Sequence, residues 1–317
     1  MPYDIVGDIH GERTTLEALL EKLGYRSGTS GWSHPSRTAV FVGDFIDRGP
    51  DSRGTCRLVR DMTEAGHALA VMGNHELNAL AFHGANPQAP GEPLRPHTEK
   101  NVRQHQATLT SFEGADAEFA DTLEWFTTLP LWLDLDDLRI VHAAWDASAM
   151  ATLEPLLDGQ RRIEDGTLPL LTLPGHPAFA AAETLLKGVE LPLPEGVSFS
   201  DKDGQQRQDV RIRWWLSDAD PSWRNLALGP DALLDQLPDG SVAAARAFGY
   251  PAEAAPVLFG HYWLTGAPAP LAANVACLDY SVARPGGKLA AYRWHGESRL
   301  RADDFVTVAR IQQSGLP

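Results

Sequence analysis

Six residues of the sequence follow short apolar runs, and their side chains are of the kinds that bind metal ions. They are Asp8, His10, Asp44, Asn74, His142 and His261. Carboxylate, amide and imidazole groups without a thiolate favour Mn, Fe or Zn at a hydrolytic centre over a Cys-rich structural zinc or an all-oxygen calcium site. Six ligands exceed what one tetrahedral ion needs, so we expect two ions about 3.5–4 Å apart, bridged by one carboxylate.

The apolar runs that precede these residues are typical of buried β-strands. We predict strands at Tyr3–Val6, Ala39–Val42, Ala68–Met72, Leu138–Val141 and Val257–Phe259. Helices are predicted at Thr15–Leu23, where leucines recur at helical spacing, and at Ser52–Ala65. Strands that alternate with helices indicate parallel βαβ units, whose sites lie at the carboxyl ends of the strands. The predicted elements therefore bring the six side chains together.

Three motifs follow one another in the first quarter of the chain: Gly7-Asp8-Ile9-His10-Gly11, Gly43-Asp44-Phe45-Ile46-Asp47-Arg48-Gly49 and Gly73-Asn74-His75-Glu76. With the two later strand-end histidines, they resemble the signature of calcineurin-like metallophosphoesterases, most closely the bacterial phosphoprotein-phosphatase (serine/threonine phosphatase) branch. The resemblance implies an α/β fold in which a two-sheet β-sandwich is flanked by helices (αββα). It covers residues 7–76 well and the middle of the chain hardly at all.

The resemblance also implies how the metal ligands divide. One ion would be held by Asp8, His10 and Asp44. Asp44 would bridge to a second ion, which Asn74, His142 and His261 would hold. The cofactors are expected to be two divalent metal ions, Mn²⁺ in the first instance and Fe or Zn as alternatives.

Three further side chains would assist hydrolysis, in which a hydroxide that bridges the two ions attacks the phosphoester in line. Arg48 would bind the phosphoryl oxygens through its guanidinium group. His75 would donate a proton to the leaving oxygen, and Asp47 would orient its ring. A second phosphate-binding arginine is expected, with Arg213 and Arg224 as the candidates.

The resemblance leads us to expect a phosphatase of phosphomonoesters, with phosphorylated serine or threonine in proteins as the first candidate substrate. A nucleotide or small-molecule phosphatase, such as a diadenosine-tetraphosphatase-like hydrolase, is the alternative, and a non-catalytic phospho-ligand sensor is a remoter one. Two departures from the family pattern bear on the shape of the substrate. Ala143 and Ala144 stand where the family usually has two glycines, and Tyr262-Trp263 follows the last histidine where the family usually has threonine.

The composition limits the partners of the protein. The 317 residues include 42 acidic and 27 basic side chains, so the formal net charge is −15. This acidity disfavours nucleic acid as a partner, because binding phosphate backbones requires clustered lysine and arginine. We also expect no membrane span and, with two cysteines and no signal-peptide pattern at the start, a cytoplasmic location. The oligomeric state is left open.

We expect a single metallophosphoesterase domain over residues 1–317, with two segments outside the family pattern. Residues 83–110 are predicted to be a loop insertion on the substrate side or, equally, a solvated surface loop. Residues 148–212 are predicted to be a cap insertion or ordinary decoration. The histidines outside the motifs, His105 among them, are expected to be surface or loop residues.

Overall fold

A computed structural model of the chain describes residues 2–29, 31–200, 206–217, 221–240, 242 and 249–312. The strands are β1 Tyr3–Val6, β2 Arg26–Gly28, β3 Gly31–Ser33, β4 Thr38–Phe41, β5 Ala68–Ala70, β6 Trp132–Asp134, β7 Arg139–Val141, β8 Glu190–Pro192, β9 Phe199–Ser200, β10 Gln206–Arg207, β11 Asp209–Ile212, β12 Ala227–Leu228, β13 Val257–Phe259, β14 Val275–Cys277, β15 Asp279–Tyr280, β16 Lys288–Trp294 and β17 Phe305–Ala309. The helices are α1 Arg13–Leu23, α2 Ser52–Glu64, α3 Asn74–His83, α4 Glu99–Ser111, α5 Asp116–Thr127, α6 Ala147–Leu153, α7 Leu168–Thr172, α8 Pro177–Lys187, α9 Trp223–Leu226 and α10 Asp231–Leu234.

The first large sheet contains the strands that carry the three motifs. Its order is β15-β16-β1-β4-β5, and β17 also pairs with β16. β1, β4 and β5 run parallel, with Val6 opposite Phe41 and Phe41 opposite Ala70. Parallel neighbours of this kind need crossover helices, and α1 and α2 supply them. The carboxyl ends of the three motif strands therefore lie side by side.

The second sheet has the order β14-β13-β7-β6 and carries the two later histidines. β13 runs parallel to both β7 and β14, with Leu258 between Ile140 and Ala276. β6 pairs antiparallel with β7 and closes one edge. The histidines that follow β7 and β13 thus lie at neighbouring strand ends, as the residues of the first sheet do.

The two sheets pack face to face, with helices on their outer faces. Alternate residues of the strands, Ile5 and Val40 in the first sheet and Ile140 and Leu258 in the second, are fully buried in one shared cluster. Their neighbours along the strands, such as Val6, point the other way and pack with the helices. Strands buried on both faces explain why the predicted strands are continuous apolar runs. The predicted αββα sandwich is confirmed.

Most predicted elements match the observed ones within two residues at either end. The helix predicted at Thr15–Leu23 begins two residues earlier, at Arg13. The helix predicted from Ser52 begins there, because the Asp51 carboxylate caps it by accepting the Gly54 N–H at 2.7 Å. The strand predicted at Ala68–Met72 ends at Ala70, since the chain turns there toward the third motif.

The two segments outside the family pattern contain regular structure. Residues 83–110 are not a loop throughout, because helix α4 occupies their second half. It begins at Glu99, and the side chain of the preceding Thr98 caps it by accepting the Asn101 N–H. Residues 148–212 hold most of α6 and all of α7 and α8, together with β8 to β11, as far as this part of the chain is described. Both segments approach the motif residues, as shown below. A substrate-side insertion and a cap over one domain remain predictions.

Among the described residues, none of the helices is long and apolar enough to cross a lipid bilayer.

Candidate active site

The predicted site residues lie in the tight turns that follow five strands. Asp8 and His10 follow β1, Asp44 follows β4, Asn74 begins α3 after β5, and His142 and His261 follow β7 and β13. The backbone of several turns has positive φ at non-glycine residues, including His10 at 48°, Asp44 at 53° and His261 at 72°. Such backbone costs about 1–3 kcal/mol per residue and clusters at functional sites. The turns thus hold these side chains in one place at a cost in stability.

Two groups of side chains around Asp44 have the spacing of a metal site. His10, Asp44 and His75 form one group, and Asp44, His142 and His261 form the other, with ligand atoms within 4.8 Å of one another in each. Asp44 belongs to both, as expected of a bridging carboxylate. The Asn74 Oδ1 lies 3.1 Å from His142 Nε2 and so extends the second group.

The two groups differ from the predicted ligand set at two residues, Asp8 and His75. Asp8 lies outside both groups, but its Oδ2 accepts the His261 N–H at 3.0 Å and its Oδ1 is buried without a hydrogen-bond partner. His75 lies inside the first group, but each of its ring nitrogens contacts another side chain: Asp47 at 2.5 Å and Arg48 at 3.2 Å. The free oxygen makes Asp8 the better ligand, and the contacts of His75 leave it no free nitrogen.

Three buried polar atoms of the predicted ligands have no hydrogen-bond partner: Asp8 Oδ1, His10 Nε2 and His261 Nδ1. A buried polar atom without a partner costs roughly 1–3 kcal/mol, so an unpaired group calls for an explanation. Three of them around one shared carboxylate fit a divalent cation, because each can offer a lone pair. The residues present therefore fit the metal ions that the sequence predicts.

Two of the imidazoles are oriented toward the cluster by backbone carbonyls. His10 Nδ1 lies 3.0 Å from the Ile46 carbonyl oxygen, and His142 Nδ1 lies 2.7 Å from that of Val42. A histidine that donates one ring N–H to a carbonyl presents the lone pair of its other nitrogen, as metal-binding histidines commonly do. Nε2 of both rings is thereby directed at Asp44.

The electrostatics of the cluster favour a bound cation. Burial raises the pKa of Asp8 well above its ordinary value, and burial lowers the pKa of His10 and of His261 well below theirs. Burial would also raise the pKa of Asp44, but the imidazole of His142 and its neighbours lower it far below the usual range. Conversely, Asp44 outweighs the effect of burial on His142 and raises its pKa to about 10. The cluster thus combines the ionised carboxylate of Asp44 with two neutral imidazoles, those of His10 and His261, and Asp44 draws positive charge to its side, here the proton of His142.

A chain of polar side chains leads away from His75. One oxygen of the Asp47 carboxylate accepts a hydrogen bond from His75 Nδ1. The other oxygen accepts hydrogen bonds from His105 Nδ1 at 2.8 Å and from the Thr108 hydroxyl at 2.6 Å. Burial would raise the pKa of Asp47, but the hydrogen bonds from His105 and His75 lower it. An ionised, rigidly held carboxylate of this kind fixes the tautomer and orientation of the His75 ring.

Arg48 is held over the cluster by an aromatic ring. Its guanidinium carbon lies 3.5 Å from the centre of the Trp263 ring, and that of Arg284 lies 3.9 Å from the same centre. Stacking on tryptophan is favourable for a guanidinium group because the ring face carries negative potential. Trp263, two residues after His261, therefore helps to position Arg48.

The second phosphate-binding arginine suggested by the sequence is not found at the predicted positions. Arg213 directs its guanidinium group to the backbone carbonyls of Asn225 and Ala227, at 2.6 and 3.0 Å. Arg224 is exposed and pairs with Asp235 at 3.1 Å. Neither residue lines a cavity beside the cluster, because the local chain directs both side chains to partners elsewhere.

Two adjoining cavities open beside the cluster. The larger, of about 680 Å³, extends from Asn74 and His75 along α4. The smaller, of about 390 Å³, extends from His261 and Trp263 toward β11. They share four lining residues: Arg48, Lys100, Gln104 and Arg207. A ligand that binds at the cluster thus has room on either side of Arg48.

Comparison with known proteins decides the family. The model of the calcineurin-like phosphoesterase family matches residues 1–177, which is more than half of the chain. The chain belongs to this family. The matched region includes the three motifs and the His142 turn and ends inside helix α8, whereas His261 lies beyond it.

The curated relatives of this phosphoesterase family member include enzymes of dinucleotide hydrolysis. One is the asymmetrical bis(5'-nucleosyl)-tetraphosphatase PrpE of Halalkalibacterium halodurans, 45% identical over 76 residues, which are 24% of this chain and 31% of the relative. Another is the symmetrical bis(5'-nucleosyl)-tetraphosphatase of Janthinobacterium sp., 33% identical over 152 residues, 47% of either chain. The match thus spans from about a third to half of these relatives. A solved serine/threonine phosphatase of Saccharomyces cerevisiae is 15% identical, with a TM-score of 0.47 over 99% of this chain and 81% of its own.

Sequence reasoning missed two residues of the site. His105, expected on the surface, is buried against Asp47, and its i, i+3 spacing to Thr108 on one helix face was a signal for a shared partner. Glu76 belongs to the third motif, but the sequence pattern assigned it no role. Its carboxylate accepts the backbone N–H groups of Asp44, Phe45 and Gly73 at 2.8 to 2.9 Å, and so joins the turns after β4 and β5.

A methyl group added at Gly260 is expected to disrupt the cluster. A Cβ atom there would lie 1.8 Å from Asp8 Oδ1 and 2.9 Å from Val42 Cγ2, so the Asp8 side chain must move. For Gly260→Ala we expect activity to fall about 100-fold and the free energy of unfolding to fall by about 1–3 kcal/mol, as for other overpacked sites. Gly159→Ala, where nothing lies within 4 Å, is the matched control. Equal behaviour of the two variants in steady-state kinetics and thermal unfolding would contradict this expectation.

Proposed function

We propose that this protein is a metal-dependent hydrolase of dinucleoside polyphosphates, the alternative that the sequence left open beside a phosphoprotein phosphatase. The observation that carries the proposal is the pair of cavities that meet at Arg48, each lined by basic side chains. A dinucleoside polyphosphate extends in two directions from the cleaved bond and carries negative charge along its middle. The names of the curated relatives support the same substrate class.

We infer that the clustered side chains hold two divalent ions. Asp8, His10 and Asp44 would hold one, and Asp44, Asn74, His142 and His261 the other. The partnerless atoms of the cluster support this assignment, and its oxygen and nitrogen donors suit Mn²⁺, Fe or Zn. When bound, the ions neutralise phosphoryl charge and activate water.

The remaining side chains of the site would bind the phosphate and manage the proton of the leaving group. Arg48, stacked on Trp263, presents its guanidinium group to the phosphoryl oxygens. In the structure Arg48 also donates to His75 Nε2, so its engagement with a phosphate would release that nitrogen to face the leaving oxygen. Asp47 holds Nδ1 of His75, and the ring therefore keeps Nε2 directed at the cavity.

A substrate panel at fixed Mn²⁺ tests the proposal. We expect diadenosine tetraphosphate to be hydrolysed with a kcat/KM at least tenfold above that for a phosphoserine peptide, since the peptide cannot occupy both cavities. p-Nitrophenyl phosphate serves as the reference ester, and chromatography of the products distinguishes symmetrical from asymmetrical cleavage. Preference for the peptide would favour phosphoprotein phosphatase activity instead. Phosphate binding without turnover of any ester would favour a sensor.

A further inference from the structure

The larger cavity concentrates positive charge in an acidic protein. Its wall includes six basic side chains, and the one carboxylate among its lining residues is the buried Asp47. These six are Arg48, Arg95, Lys100, Arg103, Lys187 and Arg207. The chain as a whole carries a formal charge of −15. A cationic cavity within an anionic surface focuses the field on one place and attracts anionic ligands there.

Apart from Arg48, which lies in the turn after β4, the basic side chains come from two parts of the fold that both line the cavity. Arg95, Lys100 and Arg103 lie on the segment that leads into α4 and on its first turns. Lys187 ends α8, and Arg207 lies in β10, both within residues 148–212. The sequence pattern of the catalytic motifs contains none of these five residues. Their convergence therefore comes from the two segments outside the family pattern.

Two members of this group, Arg95 and Arg103, are only weakly compensated, whereas Lys187 pairs with Glu183 on its own helix. Arg95 donates to three side-chain amide oxygens, those of Asn78, Asn101 and Gln104, and these partners carry no charge. Arg103 pairs with Glu99 at 2.7 Å, but the two side chains are 68% and 85% exposed. Exposed pairs of this kind are weak and are screened by salt. A multiply charged anion can therefore compete for Arg95 and Arg103.

The position of the cavity indicates which part of a substrate it would hold. His75 lines the larger cavity, whereas His261 and Trp263 line the smaller one. If His75 serves the leaving oxygen, as proposed above, the larger cavity lies on the leaving-group side. The group that departs would then pass along Lys100 and Arg103. Several cations around a departing phosphate stabilise the negative charge that develops on it.

We propose that the α4 cations and the facing basic residues form a binding subsite for the phosphates of the leaving nucleotide. The proposal rests on the proposed function for its direction along the cleft. It assigns to Lys100 and Arg103 the selection of polyphosphate leaving groups over uncharged alcohols or phenols. It also assigns a role to the segment 83–110, whose helix presents these side chains.

The double variant Lys100→Gln/Arg103→Gln tests the subsite in the full-length protein. Lys100 and Arg103 both lie on helix α4. Glutamine has a high helix propensity, so the double variant should retain the fold. We expect kcat/KM for diadenosine tetraphosphate to fall at least tenfold at low ionic strength, and that for p-nitrophenyl phosphate to fall less than threefold. Increasing salt should reduce the difference between the variant and the native protein. Equal losses on the two substrates would overturn the proposal.

A binding experiment separates this subsite from the proposed activity. Inorganic tripolyphosphate is titrated calorimetrically into the protein in the presence of excess EDTA, so that the basic residues are measured apart from any metal. We expect the double variant to bind tripolyphosphate at least tenfold more weakly than the native protein. Unchanged affinity would overturn the subsite, whether or not diadenosine tetraphosphate is a substrate. Failure of the native protein to hydrolyse the dinucleotide, with this binding intact, would overturn the proposed function alone.

The matched control is Arg301→Gln. Arg301 is 68% exposed, as Arg103 is, and it also has acidic neighbours close in sequence, Asp303 and Asp304. It does not line either cavity. We expect this variant to match the native protein in both experiments. If the double variant fails to fold, the single variant Arg103→Gln is expected to show a smaller loss in the same direction, and no loss would count against the subsite.

Discussion

Replacing Asp44 with asparagine is expected to reduce hydrolysis at least 1,000-fold, which corresponds to about 4 kcal/mol of barrier. Asp44 is the residue that both groups of candidate ligands share, and its side chain is 1% exposed. The amide has the same shape as the carboxylate but carries no charge, so the cluster would lose its ionised centre. We expect the metal content, measured by elemental analysis, to fall from about two ions per chain to one or fewer.

The same substitution should also remove the stabilisation that metal ions provide. A ligand that binds only the folded state raises the unfolding temperature, so the native protein should unfold at a lower temperature in EDTA than in Mn²⁺. For Asp44→Asn that difference should shrink or vanish. Asp137→Asn, an exposed acid in a loop after β6, is the control. A variant that keeps both ions and its activity would exclude Asp44 as a bridge.

Replacing His75 with asparagine is expected to slow the reaction in a way that depends on the leaving group. General acid assistance contributes about 10²–10⁴-fold, and it matters most when the leaving oxygen is a poor alkoxide. We therefore expect kcat on an alkyl phosphate to fall by about 10²–10⁴-fold, and kcat on p-nitrophenyl phosphate to fall much less. Metal content should be unchanged, because both ring nitrogens already contact side chains.

His67→Asn is the control for this variant. His67 precedes β5 and so lies at the opposite end of the sheet from the cluster. Its substitution should leave kcat unchanged on both the alkyl phosphate and p-nitrophenyl phosphate. Equal losses on the alkyl and the aryl ester for His75→Asn would show that the ring does not serve the leaving oxygen. A loss of metal would instead make His75 a ligand, as its place in one of the two groups allows.

The acidic composition of the protein and the basic lining of its larger cavity are compatible with the acidic substrate proposed above. The net charge disfavours long polyanions, which contact a wide surface, but it does not describe the cavity beside α4. There, basic side chains from distant parts of the chain line a cavity of about 680 Å³. The proposed small anionic substrate would therefore meet basic side chains in the cavity even though the protein as a whole is acidic.

The sequence by itself determined the core of the fold and which side chains would meet. Each of the six predicted metal ligands follows a short apolar run, and short apolar runs bounded by turn residues are typical of buried strands. Because parallel strands begin and end in register, residues that follow Val6, Phe41 and Ala70 must lie at one edge. Local spacing was sufficient to predict which side chains come together, because each predicted metal ligand lies close in sequence to the strand and the turn that position it.

Only the tertiary structure decided the surroundings of these side chains. His105 reaches Asp47 across 58 positions of the chain, and Arg284 reaches the Trp263 ring through a turn between two strands. The spacing of His105 and Thr108 on one helix face indicates a shared partner but does not identify it as Asp47, and nothing in the local spacing distinguishes Arg284 from an exposed residue. Arg213, a candidate for the phosphate, is instead bound by backbone carbonyls. Contacts between segments far apart in sequence depend on how whole elements pack, and that packing is what shapes the two cavities.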